Sequence, residues 1–317
     1  METPKSSFQI LSLDGGGIKG LFSAALLAHI EKDFNIKICD HFDLITGTST
    51  GGIIALGLGK GLAPKEIVEF YVQEGPKIFP QAFWRHLTHY VTTKFRGDQL
   101  EKSLQSCLGN SLLGDSTKRL VIPSYSTSED DIYLFKTPHH PRLRRDWKVP
   151  MWQVAMATTA APTYFPSFNK IEHARLIDGG VWANNPSMVG IIEAQSLLNA
   201  PLSTLKIFNI GTTDPIKGRS PKLDSGGKWH WKSEASDVIL KGQSKGAYTQ
   251  ASLLLGTDNV IRLDPPVPDG LFGLDKISVA ELMGKAAHFS RQISPVIEKT
   301  FLAHKAAPYT PEYGSKE

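Results

Sequence analysis

Ile45-Thr46-Gly47-Thr48-Ser49-Thr50-Gly51-Gly52-Ile53-Ile54-Ala55-Leu56 is the stretch that decides the fold. It contains Gly-x-Ser-x-Gly. Phe42, Leu44 and Ile45 ahead of it suit a buried strand, and the small apolar run Gly52 to Leu58 suits a helix packed closely on a sheet. A serine at such a strand-to-helix corner has its Oγ thrust out of the turn. Gly47 and Gly51 on either side remove Cβ atoms that would clash there. The helix N-terminus beneath it favours developing negative charge. The plainer alternative is a glycine-rich turn that only lets a helix approach a strand.

Upstream, Phe8-Gln9-Ile10-Leu11-Ser12-Leu13 reads as a strand running into Asp14-Gly15-Gly16-Gly17-Ile18-Lys19-Gly20. A helical pattern follows, with Leu21, Phe22, Ala25, Leu26 and Ile30 at three- and four-residue spacing. Consecutive glycines at a helix start turn several backbone N–H groups into one concavity, which suits an anion. Gly15-x-Gly17-x-x-Gly20 also matches a dinucleotide fingerprint, but that reading wants an acidic residue ending a second strand. Asp33 and Asp40 are poorly placed for it. A phosphate-binding P-loop is excluded because no Gly-Lys-Ser/Thr follows. The remaining reading is an oxyanion hole for the alkoxide formed when a serine attacks an ester. Two such turns in successive βα units open at the carboxyl edge of a parallel sheet, where open α/β sheets place their sites.

Further along, Arg175-Leu176-Ile177-Asp178-Gly179-Gly180-Val181 is a short apolar strand that delivers an aspartate, followed by two glycines. Taken alone it is a turn. It is preceded by Ala157-Thr158-Thr159-Ala160-Ala161-Pro162-Thr163-Tyr164-Phe165-Pro166, small residues that end a helix at a proline.

These four segments, in this order, resemble the patatin-like phospholipase family, across roughly residues 8 to 211. The family pattern is Asp-Gly-Gly-Gly-x-Arg/Lys-Gly, Gly-x-Ser-x-Gly, Ala-Ala-Pro-x-Phe and Asp-Gly-Gly/Ala. The resemblance implies a three-layer α/β/α fold with a mostly parallel central sheet. It also implies hydrolysis of fatty-acyl esters of membrane phospholipids by a Ser–Asp dyad, with no cofactor. Carried over by position, Ser49 is the nucleophile and Asp178 its general base, and the N–H groups of Gly16, Gly17 and Ile18 form the oxyanion hole. Gly15, Lys19, Gly20, Gly47, Gly51, Gly179 and Gly180 are supporting motif residues. Lys19 stands where many members have arginine, and lysine cannot form a planar two-pronged clamp. In length and style the chain is similar to bacterial patatin-like effectors that cyclic dinucleotides switch on in anti-phage defence. A cyclic dinucleotide activator, peripheral membrane contact and a homo-oligomer are therefore expected partners.

Composition agrees with this class. The chain has 317 residues, 41% hydrophobic and 21% charged, enough for one large domain with an ample core. A single domain over 1–317 is expected, with 212–317 as a regulatory part. The net charge of +4 permits weak attraction to anionic lipid and does not read as binding to a nucleic-acid polymer. Two cysteines, Cys39 and Cys107, form no disulfide framework. The start Met1 to Ser7 is polar without an apolar signal core, and no run of 18 apolar residues occurs, so a cytoplasmic protein acting at the inner face of the membrane is expected. No metal-ligand spacing is present.

Strand and helix alternate along the chain, with helices opening at Pro64 and Gly97 and strands at Leu120–Pro123, Ile132–Phe135 and Leu205–Ile210. The aromatic stretch Ile78 to Leu87 reads either as a flap over an acyl tunnel or as core beneath a loop. His139 to Arg145 reads as a basic loop facing phosphate head groups or as a solvated loop. The polar stretch Thr212–Ala235 reads as a long loop in which Arg219, Lys228, Trp229 and Trp231 offer phosphate and base contacts, or in which the tryptophans pack on the domain. Two rival functions stay open. His288 after Asp178 gives the order of a Ser-Asp-His triad esterase, and a silent lipid- or partner-binding scaffold needs no chemistry at all.

Overall fold

The structure is a computed structural model that describes residues 7–80, 93–231 and 234–314. Part of the stretch Ile78 to Leu87 lies outside the described residues, so neither reading of it is decided.

Eight strands form one twisted sheet: β1 (Phe8–Leu13), β2 (Leu44–Gly47), β3 (Leu120–Ser126), β4 (Asp131–Lys136), β5 (Phe168–Ile171), β6 (Ala174–Asp178), β7 (Leu205–Ile210) and, numbered after a short outlying strand β8 (Asp214–Ile216), β9 (Val260–Leu263). Their order is β5-β6-β3-β2-β1-β7-β9, with β4 pairing on β3. The pairs β1/β2, β1/β7, β2/β3 and β7/β9 are parallel. β4, β5 and β6 join by antiparallel pairing. Beyond the carboxyl ends of β7 and β9, β8 pairs in parallel with β10 (Pro266–Pro268).

Period-2 alternation sends neighbouring residues to opposite faces, and both faces are covered. Leu11, Ile45, Ile122 and Phe208 face a core shared with α1 (Gly20–Phe34), α2 (Thr50–Lys60), α3 (Pro64–Ile78), α4 (Gly97–Leu108) and α5 (Met151–Thr158). Ile10, Leu44, Val121 and Ile207 face a second core. After the single turn α6 (Gly180–Ala183), that core is closed by α7 (Ser187–Ser196) and, following the short α8 (Lys228–Trp231), by the long α9 (Glu234–Leu255). The three-layer α/β/α expectation holds. The last helix, α10 (Val279–Ile297), lies on α1, and its Leu282, Ala286 and Ile297 are fully buried in the first core. No helix among the described residues is long and apolar enough to cross a membrane. Cys39 and Cys107 are free thiols.

Candidate active site

The Gly-x-Ser-x-Gly run forms the elbow its sequence calls for. β2 ends at Gly47 and α2 begins at Thr50, with Ser49 between them at φ 55°, ψ −122°. A serine seldom adopts a positive φ, and such strain persists only where the surroundings over-determine it. Here they do. A Cβ on Gly47 would lie 2.2 Å from the Gly51 carbonyl oxygen, and one on Gly51 would lie 2.3 Å from that of Leu13. The Ser49 N–H donates to Thr158 Oγ1 (3.0 Å), whose own hydroxyl donates to the Pro123 carbonyl (2.6 Å). The end of α5 therefore backs the elbow.

Asp178 ends β6, level with Ser124 of the antiparallel neighbour β3. Its N–H donates to the Ala160 carbonyl (3.0 Å), so the small-residue stretch at the end of α5 and just beyond it touches both candidate catalytic residues. The Asp178 carboxylate accepts a hydrogen bond from the Gly180 N–H (2.7 Å to Oδ1) and lies close enough to the Ser49 hydroxyl for it to favour the ionised form. Burial raises its pKa from 3.8 to about 6, and the neighbouring Ser49 hydroxyl and Gly180 N–H only partly offset the rise. Gly179 is required because a Cβ there would stand 2.3 Å from the Pro123 carbonyl oxygen.

The glycine loop rises at the carboxyl end of β1, beside this pair. Gly15 donates its N–H to the Asn184 carbonyl (3.0 Å), and Ile18 donates to the Leu274 carbonyl (2.8 Å). The N–H groups of Gly16 and Gly17 have no partner among the described residues. Gly17 has φ +61°, and the Leu274 carbonyl oxygen occupies the place a Cβ would need. Gly20, opening α1, lies against the Thr50 side chain, so the two βα corners touch. Lys19 is buried and runs beneath the loop, where its Nζ donates to the Thr213 carbonyl (3.1 Å). Desolvation lowers its pKa from the usual lysine value. It braces the loop against the chain leaving β7.

The side chains that hold Asp14 and Asn184 in place carry no local sequence signal. Asp14 is gripped by Arg262 of β9 (2.8 Å) and by Asn209 of β7 (2.7 Å), and burial raises its pKa to about 6 against the pull of Arg262. Asn184 sits between the glycine loop and the Gly180 turn after Asp178. Its backbone N–H donates to Gln243 Oε1 (2.6 Å) and its Nδ2 to Ser244 Oγ (2.9 Å), both on α9. Its Oδ1 would lie 2.5 Å from a Cβ on Gly15 and 3.3 Å from one on Gly180. The Asn-Asn-Pro after Asp178-Gly-Gly was the one available hint of its importance.

Other candidates are not brought to the site. His288 is exposed on α10 with its ring against Phe289, while Asp178 is buried and bonded to the Gly180 N–H. Arg219 is held by Glu234 and Asp237 rather than standing ready for a phosphate. In the basic loop, His139 is buried against Glu193 (2.8 Å) and Arg145 pairs with Asp146 (2.7 Å). Trp229 is 82% exposed, whereas Trp231 is 37% exposed and so partly covered.

A strained serine on an elbow, a buried carboxyl beside it and a neighbouring glycine loop with two N–H groups unpaired among the described residues are the equipment of an ester hydrolase. Residues 11–190 match the patatin-like phospholipase family, and the chain belongs to it; it is a lipid ester hydrolase. Among its relatives is a protein of Escherichia coli named cGAMP-activated phospholipase, 32% identical over 84% of this chain and 82% of its own. One of the same name from Vibrio cholerae is 32% identical over 92% of this chain and 91% of its own. Patatin-like protein 4 of Arabidopsis thaliana is 30% identical over 80% and 75%. The crystal structure of VipD from Legionella pneumophila is a looser likeness, covering 94% of this chain and 68% of its own at 12% identity and a TM-score of 0.48.

Proposed function

We propose that the chain is a phospholipase A-type serine hydrolase that works through a Ser49–Asp178 dyad. The observation that carries this reading is the buried Asp178 carboxyl beside the Ser49 hydroxyl of the strained elbow, with its pKa lifted to about 6. An aspartate at its ordinary pKa is a weak base, and this one is matched to neutral pH. Asp178 takes the hydroxyl proton as Ser49 Oγ bonds to the ester carbonyl carbon. The carbonyl electron pair moves onto oxygen, which the Gly16 and Gly17 N–H groups hold. When the carbonyl re-forms, the C–O bond to the lysophospholipid breaks and the leaving alkoxide takes the proton from Asp178. Water then gives a proton to Asp178 and attacks the acyl–Ser49 ester. The fatty acid leaves and Ser49 Oγ recovers its proton. Ile18, whose N–H is engaged by Leu274, stays outside the hole in this state.

One consequence is a pH profile. The base works only when ionised, so kcat/KM on a soluble short-chain ester should fall as pH drops through about 6. A profile that stayed flat down to the ordinary aspartate range near 3.8 would remove Asp178 from the role of base.

Activation by a cyclic dinucleotide belongs to the same reading and is supported by the printed names of the relatives. The C-terminal part supplies the means, since Arg262, Gln243, Ser244 and Leu274 all grip the glycine loop or Asn184. A ligand that prefers the competent state about a hundredfold raises a state populated at about 1% to about half. Phospholipid hydrolysis on vesicles should therefore rise more than about tenfold with cGAMP or another cyclic dinucleotide. Full activity without nucleotide, unchanged across a panel of cyclic di- and trinucleotides, would refute the regulation and leave the dyad untouched.

A further inference from the structure

β7 ends at the carboxyl edge of the sheet, level with Leu13 at the end of β1, and the chain then runs out through β8 and α8 before α9 returns it to the start of β9. Everything between Gly211 and the first turns of α9 thus projects from the edge that carries Ser49 and the glycine loop. Lys241 ties α9 to this excursion by donating to the Pro215 carbonyl (2.6 Å).

The excursion exposes apolar side chains of a kind a soluble surface normally spares. Ile216 is 69% exposed and Trp229 82%, with Trp231 beside it on α8 partly exposed at 37%. Tryptophan is the residue most at home where one end of a side chain is apolar and the other wet, as at a membrane–water boundary. The charges are sorted as well. Glu234 pairs with Arg219, Asp237 with Arg219 and Lys217, and Asp214 with Lys241 and Lys245. Most acids of the excursion are thereby neutralised from within. Lys222 and Lys228, which precede the tryptophans in sequence, stand exposed, and Asp224 is the one exposed acid of the excursion among the described residues.

We propose that Ile216, Trp229 and Trp231, flanked by Lys222 and Lys228, form a membrane-docking face that seats an anionic lipid surface on the edge holding Ser49. The inference rests on the lipid-hydrolase reading for its purpose. Apolar insertion plus attraction of lysines to anionic headgroups is the standard means of reversible attachment to a bilayer. Leu253, equally exposed, sits near the far end of α9 toward the amino edge and takes no part.

The test measures binding apart from turnover. In a Ser49→Ala background, the full chain is cosedimented with vesicles of phosphatidylethanolamine and phosphatidylglycerol, or of phosphatidylcholine alone. The double variant Trp229→Ala/Trp231→Ala should lower partitioning about tenfold on both. Lys222→Glu/Lys228→Glu should lower it only on the anionic vesicles, as raised salt should. Brominated lipid should quench tryptophan emission. Trp229→Phe/Trp231→Phe should remove that quenching and leave the other four of the six tryptophans unaffected. With Ser49 restored, the alanine pair should lose vesicle hydrolysis while cleaving a soluble ester within about twofold of the parent. Unchanged partitioning and quenching in the tryptophan variants would overturn the proposal. So would equal loss on vesicles and soluble ester, or a change in oligomeric state of the lipid-free protein, which would mark a protein–protein face. A chain that hydrolysed no ester would still report docking in the cosedimentation, so the two readings fail separately.

Discussion

Asp178→Asn is expected to lower kcat on phospholipid and on soluble ester by more than about a thousandfold, and Ser49→Ala to do the same. The asparagine keeps the shape of the carboxyl and can still accept the Gly180 N–H, but it cannot take the serine proton. Because nucleophile and base act as one unit, the double variant should be scarcely worse than either single change. The stability of Asp178→Asn should move in the opposite direction. Burial raises the carboxyl from 3.8 to about 6, so at neutral pH the folded protein carries an ionised group that the unfolded chain solvates better. Removing it should stabilise the fold at pH 7 by on the order of 2–3 kcal/mol. That gain should shrink as pH falls through about 6, where the folded carboxyl protonates, and vanish below 3.8, where the unfolded one does too. Thermal unfolding across that range checks the sign. Substantial turnover by Asp178→Asn would show that the base lies elsewhere.

Gly16→Ala should reduce kcat about a hundredfold, the cost of about 3 kcal/mol typical of one lost oxyanion donor, with little change in KM. The backbone at Gly16 is extended, at φ 177°, so conformational strain is not the cause. The cause is close approach: a Cβ there would lie 1.9 Å from Thr212 Oγ1 and 2.5 Å from Thr212 Cβ. The loop must move, and its N–H groups move with it. The three nearest obstructing atoms all belong to the Thr212 side chain, so Gly16→Ala/Thr212→Gly should recover much of the lost rate. A Gly16→Ala enzyme with normal kcat would take the loop out of the chemistry, and failure of the double variant to recover would point to another cause.

Residues whose backbone must do something unusual were legible in the sequence. Gly47 and Gly51 flank an elbow that no other residue fits, and Gly17 stands at positive φ under a carbonyl, so the motif and the geometry are the same fact. Ser49, Asp178 and the loop could be read for that reason. Direction and long-range grip could not. Arg175 to Asp178 reads as a strand in either orientation, and only the register with β3 makes β6 antiparallel and sets Asp178 level with Ser124. Arg262 reaches Asp14 from another strand, and Gln243 and Ser244 reach Asn184 from α9; none has a neighbour in sequence that announces its partner. Leu274 occupies the Ile18 N–H from a loop whose sequence is unremarkable. Arg219 looked available to an anion because sequence counts charges but does not pair them. Glu234 and Asp237 had already claimed it.

The central claim is that Ser49 is the nucleophile and Asp178, without a histidine, its base. A fluorophosphonate probe tests it most directly, applied with and without cGAMP to the wild-type chain and to Ser49→Ala, Asp178→Asn and His288→Ala, with the labelled peptide identified by mass spectrometry. The adduct should sit on Ser49 in the wild type and in His288→Ala at equal rates, form far more slowly in Asp178→Asn, and be absent from Ser49→Ala. An adduct on any other residue, or loss of labelling in His288→Ala, would contradict the dyad.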